Sequence, residues 1–104
     1  MPRLRYFVNL QEPANRIRVD FETQYGQVTT IHVVQYEISV DGNWQSVARY
    51  DCAHGFFHRD IYTCRGVIKY RVFIQDLGQA LTFAVQDLKS NWQHYRRLFE
   101  GGQL

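Results

Sequence analysis

Proline and cysteine occur only twice each and methionine once in the 104 residues of this chain. With so few prolines and 45% hydrophobic residues, the composition excludes a disordered or low-complexity chain and predicts one compact domain over residues 1–104. Cys52 and Cys64 form no C-x-x-C pair and lack a second pair at metal-ligand spacing, so both are read as reduced thiols outside any disulfide framework. No run approaches the roughly 18 apolar residues of a membrane helix, and Met1-Pro2-Arg3-Leu4-Arg5 enters an alternating pattern where a secretory leader would place an apolar block. No membrane partner is therefore expected, and the expected location is the cytoplasm. Lysine is equally scarce: of the 12 basic residues only Lys69 and Lys89 are lysine, the others arginine, against 10 acidic residues and a net charge of +2. Arginine is selected where a flat, multi-donor head must grip a carboxylate, a phosphate or an aromatic ring. The small net charge argues against strong nonspecific binding to nucleic acid.

What is present is alternation followed by one helical stripe. Leu4, Tyr6, Val8 and Leu10 alternate with Arg3, Arg5, Phe7 and Asn9, and Pro13 ends that run. Ile17, Val19, Phe21 and Thr23 then point one way while Arg16, Arg18, Asp20 and Glu22 point the other, as in a strand with one buried face. Val28 to Val40 and Trp44 to Cys52 form a hairpin around Asp41-Gly42-Asn43. A three-residue loop would set Val40, Ile38, Tyr36 and Val34 opposite Trp44, Ser46, Ala48 and Tyr50, with Arg49 and Asp51 on the wetter face. Phe57 to Thr63 and Val67 to Gln75 form a further hairpin through Cys64-Arg65-Gly66, which would pair Tyr62 with Lys69, Asp60 with Arg71 and Ile61 with Tyr70. His32, among apolar residues, reads as a hydrogen-bonded core histidine.

Asp76 is a good N-cap with Gln79 in the capping-box position, and Gly101-Gly102 ends the helix over about 77–99. Leu77, Leu81, Ala84, Leu88, Trp92, Tyr95 and Phe99 fall on one stripe. Phe83 sits off it, either packed under the N-terminal strand or left for a homodimer contact. The expected fold is α+β: a twisted antiparallel sheet of about six strands, over about 3–75, with one long C-terminal helix packed on one face. A chain this long buries roughly 65% of its unfolded surface, so no cofactor is needed to hold that fold.

The densest polar segment runs from Arg49 to Tyr62. If its strands pair around the loop Cys52-Ala53-His54-Gly55-Phe56, Asp51 approaches His58, Arg49 approaches Asp60, and His54 stands at the tip. Metal-independent RNA cleavage requires a base for the 2′-hydroxyl, an acid for the departing 5′-oxygen and cations for the phosphorane. His54 and His58 suit the first two roles, Asp51 would orient an imidazole, and Arg49, Arg59, Tyr62, Lys69 and Arg71 are candidates for holding substrate. The plainer alternative makes Asp51 and His58 a cross-strand polar pair, Asp60 and Arg71 a surface ion pair, and His54 a solvated turn residue. A zinc or manganese site on His54, His58 and an aspartate is disfavoured, because Gly55-Phe56-Phe57 does not read as the helix that would align the two rings. Arg3, Arg5, Arg16, Arg18, Arg49, Lys69 and Arg71 on the polar sides of the strands could hold an RNA backbone, but Asp20, Glu22, Asp51 and Asp60 share that face.

Arg49-Tyr50-Asp51-Cys52-Ala53-His54-Gly55, followed by His58-Arg59-Asp60, resembles the arginine-tyrosine-aspartate motif and histidine-rich follow-on of TumE-like toxins from toxin–antitoxin pairs. It also resembles small uncharacterised bacterial and archaeal stand-alone domains. The toxin pattern favours a further histidine where this chain has Asp60. The resemblance implies Arg49, Asp51, His54 and His58 as site positions, RNA as substrate and an antitoxin or other small protein as partner. The alternative expectation is a non-enzymatic interaction or oligomerisation module, with homodimerisation one form of it.

Overall fold

The computed structural model describes residues 2–11, 13–52 and 55–101. Six strands, β1 (Arg3–Asn9), β2 (Asn15–Gln24), β3 (Gln27–Val40), β4 (Asn43–Asp51), β5 (His58–Thr63) and β6 (Gly66–Arg71), precede one helix, α1 (Leu77–Phe99). The strands form one antiparallel sheet in sequence order, as short connections favour. The fold is thus the expected α+β arrangement. Ile17, Val19, Val34, Tyr36, Ala48 and Tyr50 are fully buried on one sheet face, where Ala80, Ala84, Leu88 and Trp92 of α1 meet them. Trp92 packs edge-on against Tyr36, with ring centroids 5.9 Å apart. The helix approaches β2 to β5 and neither edge strand. Leu4 and Tyr6, which alternation alone would bury, are therefore 40% and 43% exposed.

Three details differ from the pattern expected of the sequence. The β3–β4 connection is a two-residue turn, with Asp41 and Gly42 at φ 51° and 81° and Val40 opposite Asn43. Positive φ at both central residues suits the right-handed strand twist and is what Asp-Gly provides. Continued without interruption, this register would set Arg49 opposite Val34 on the core face. Val47 is instead an extra, fully buried residue between the pairs Glu37–Ser46 and Tyr36–Ala48. The bulge restores Tyr50 to a place opposite Val34 and sends Arg49 and Asp51 to the uncovered face. Trp44 consequently pairs with Ser39 on that same uncovered face.

The β5–β6 turn is also tighter than expected, so Asp60 pairs with Lys69, His58 with Arg71 and Ile61 with Ile68. The shift of two residues preserves each side chain's face while changing its partner. β6 ends at Arg71 because β5 has no further residue to pair. Val72 closes the ladder with an N–H to the Phe57 carbonyl at 2.9 Å. Phe83, third, packs edge-on against Tyr50 of β4, centroids 6.0 Å apart, and remains 43% exposed. Its place on the helix lies over β4, away from β1.

The helix termini follow the sequence signals. The Gln79 N–H donates to the Asp76 carboxylate at 2.9 Å, and Gly101 adopts φ 95° just beyond the last turn. Ala80 and Leu98 join the buried stripe, while Leu77, Leu81 and Phe99 are only partly buried.

Candidate functional site

The uncovered sheet face carries a row of carboxylates beneath a layer of cations. Asp20, Glu37, Asp51 and Asp60 are all buried there although no helix covers them. Arginine and lysine stems lie over them instead, keeping each charged head at the water boundary. Arg3 donates two 2.9 Å bonds to Asp20. Arg16 and Arg18 reach Glu37 at 2.8 and 3.1 Å. Arg49 Nε meets Asp51 at 2.7 Å, and Lys69 Nζ meets Asp60 at 3.2 Å. Arg16 and Arg18 thus find their carboxylate on the neighbouring strand, a pairing that one strand's alternation cannot reveal. The Arg3 hydrogen bond, outweighing burial, lowers the Asp20 carboxyl below its ordinary range. For Glu37 burial acts upward as the largest single influence, yet hydrogen bonds from Arg16, Gln35 and Arg18 together bring the value down.

His58 lies at one end of this row, against Asp51 and Asp60. Its Nε2 is 3.0 Å from Asp51 Oδ1 and 3.7 Å from Asp60 Oδ2. Its Nδ1 faces the Phe56 carbonyl at 3.4 Å, a long contact in which the ring must be the donor. The ring is 8% exposed and borders a recess of about 270 Å³ whose walls include Lys69 and Arg71. Arg71 stands opposite His58 in the ladder. Its guanidinium lies over the rings of Phe56 and Phe73, 4.8 and 5.2 Å from their centroids. The pairing with Asp60 expected for Arg71 belongs to Lys69.

Strand pairing therefore gathers Arg49, Asp51, His58, Lys69 and Arg71 on one face. Tyr62 is half-buried near the Cys64-Arg65 turn, opposite Val67 and beyond Asp60 as seen from His58. His54 lies outside the described residues. Arg59 does not join Arg49: period-two alternation between His58 and Asp60 turns it toward the helix. There its Nη1 donates to the hydroxyls of Tyr50 and Tyr95, each at 3.2 Å, and stands 3.6 Å from Asp87. Both phenols donate to Asp87 Oδ2 at 2.6 Å. Burial, reinforced by Asp87, raises both phenol pKa values far above normal. This buried group escaped sequence reasoning because its members come from β4, β5 and α1. The alternation of β5 was the available signal for Arg59.

A family model matches residues 1–103, nearly the whole chain. The chain belongs to DUF7718, a domain family of unknown function. No curated protein and no solved structure matches it. Membership agrees with the resemblance to small uncharacterised domains.

Two remaining groups add little chemistry. Cys52 and Cys64 are free, and burial together with the Asp51 charge pushes the Cys52 thiol up, which disfavours a nucleophilic thiolate. Among the described residues, no three His, Cys, Asp or Glu side chains are grouped to hold a metal ion, and no helix is long and apolar enough to cross a membrane. His32, expected in the core, is half-buried and bonded to Glu22.

Proposed function

We propose that this protein is a small RNA-acting domain of the toxin type, a metal-independent ribonuclease working in the cytoplasm with His58 as its central group. The observation that carries this reading is the Asp51–His58 pair, 3.0 Å apart, at a recess flanked by Lys69 and Arg71. A carboxylate on one ring nitrogen orients an imidazole so that the other can exchange a proton. Here Asp51 holds Nε2, and the 3.4 Å bond from Nδ1 to the Phe56 carbonyl is the weaker one. Nδ1–H is thus the proton a bound substrate would take over.

In that role His58 is the general acid. The 2′-oxygen forms a bond to phosphorus and loses its proton to a base, for which the toxin resemblance supplies His54. The bond from phosphorus to the 5′-oxygen breaks, and the proton from His58 goes to that oxygen. The products are a 2′,3′-cyclic phosphate and a 5′-hydroxyl end. Lys69, Arg71 and Arg49 stand where they would neutralise charge on the phosphorane, with Tyr62 farther along the same strand. Arg59 has no part in this reading.

Mixed RNA incubated with the purified protein in chelator tests it. Cleavage leaving cyclic phosphate ends is expected, with His58→Ala reducing the rate by about 10² or more in protein that remains folded at the assay temperature. Intact RNA with and without divalent metal would end the reading.

The exposure of both edge strands, with Phe7 53% and Val67 47% accessible, favours a second reading as an interaction module. Its partner would be a small antitoxin-like protein or a second copy of the chain pairing along β1 or β6. A monodisperse monomer at high concentration removes the homodimer.

A further inference from the structure

On the uncovered face, two arginines are stacked on aromatic rings at opposite sides of the sheet. The Arg16 guanidinium carbon lies 4.1 Å from the Phe7 centroid and 3.8 Å from that of Trp44, while Glu37 holds its Nε at 2.8 Å. Arg71 lies over Phe56 and Phe73. The rings concerned are exposed: Phe7 53%, Trp44 41%, Phe56 36% and Phe73 83%. Between the stacks run Arg18, Arg49 and Lys69, each on a buried carboxylate. Arg16 is on β2 and Arg71 on β6, separated by four inter-strand steps, or about 19 Å across the sheet.

We infer that this face binds single-stranded RNA, unpaired bases stacking on the Phe7–Arg16–Trp44 and Phe56–Arg71–Phe73 platforms while the phosphates between them cross the cation row. The inference rests on the reading of this face as RNA-acting and adds the strand state and the two base positions. Fixed π-faces select bases whose own faces are free, which a duplex interior does not offer. The carboxylates make the face only mildly cationic. Arg3, Arg5, Arg16, Arg18, Arg49, Lys69 and Arg71 stand against Asp20, Glu22, Glu37, Asp51 and Asp60, seven charges against five, an excess of two. Phosphates alone would therefore bind weakly, and stacking must supply the difference. An acidic protein segment would use the cations but has no reason to require the platforms.

Fluorescence anisotropy with a short 2′-O-methyl oligoribonucleotide tests this independently of cleavage, because the methyl group removes the attacking hydroxyl. The single strand is expected to bind at least tenfold more tightly than its duplex or an abasic strand of equal length. Trp44→Ala and Phe73→Ala should each weaken binding by about 5- to 100-fold with the melting temperature retained. Phe73, at 83% exposure, can be truncated without touching the core. Log affinity should fall against log salt with a slope of about −1.4, as expected for about two neutralised phosphates. Equal affinity for abasic and base-bearing strands, unchanged affinity in both variants, or displacement by polyglutamate as effective as by RNA would overturn the inference. Binding without cleavage of ordinary RNA would overturn the ribonuclease reading alone. Cleavage with no contribution from either platform would overturn the stacking inference alone.

Discussion

Tyr50 on β4 and Asp87 on α1, 37 positions apart, are joined by a 2.6 Å hydrogen bond in the buried layer between sheet and helix. Tyr95 donates to the same carboxylate oxygen at 2.6 Å, and Asn91 takes the other oxygen at 2.8 Å. Arg59, which reads from the chain as a substrate arginine, is the countercharge of this group. Asp87→Ala would leave two phenols and a guanidinium without their common acceptor. We expect a loss of about 2–4 kcal/mol in urea unfolding at neutral pH. A loss below about 0.5 kcal/mol would show that water replaces the carboxylate at no cost.

The same cluster predicts a behaviour in alkali. Burial first, and Asp87 second, raise the Tyr50 and Tyr95 phenols in the folded state, with Arg59 opposing in part. A raised folded-state value means that the contribution is fully present below the ordinary phenol pKa of about 10 and is lost as pH rises above it. The urea midpoint should therefore decline above about pH 10. Tyr50→Phe and Tyr95→Phe should each make that decline shallower. Tyr50 and Tyr95 should develop phenolate absorbance only together with unfolding.

Glu37 gives the opposite sign. Hydrogen bonds from Arg16, Gln35 and Arg18 depress its carboxyl despite burial. Its contribution is present above the ordinary carboxyl value of about 4.3 and disappears as pH falls through the lower folded-state value. Stability should drop between about pH 5 and pH 3, with a smaller slope in Glu37→Gln. An unchanged slope in that variant would assign acid sensitivity to the other buried carboxylates.

The β3–β4 turn offers a test free of side-chain packing. Gly42 sits at φ 81°, and a Cβ added there would meet nothing within 4 Å. Gly42→Ala is therefore expected to cost about 1 kcal/mol through backbone conformation alone. An equal or higher urea midpoint would show that the turn readily adopts another geometry.

Much of the architecture was legible because it depends on short-range rules. The period of two in Arg16 to Thr23, the Asp76 cap and the stripe through Ala84, Leu88 and Trp92 each follow from geometry within one element. The approach of Asp51 to His58 and of Arg49 to Asp60 was equally accessible, since it requires only that two strands pair around one loop. The turn at Asp41-Gly42 was visible, but its two-residue length and the compensating bulge at Val47 were not. Several registers bury similar apolar surface locally, and the choice among them falls to packing against the helix.

The sequence by itself determined the α+β class, the element order and the neighbourhood of Asp51 and His58, because alternation, capping and strand pairing act over short separations. Only the tertiary structure decided that Arg59 serves Asp87 under the helix, that Trp44 lies over Arg16 on the open face, and that Arg16 and Arg18 share Glu37. Each of these depends on which residues from distant segments meet when the helix covers one face of the sheet. Burial, charge pairing and the Val47 bulge settle that together, and no single segment contains all three.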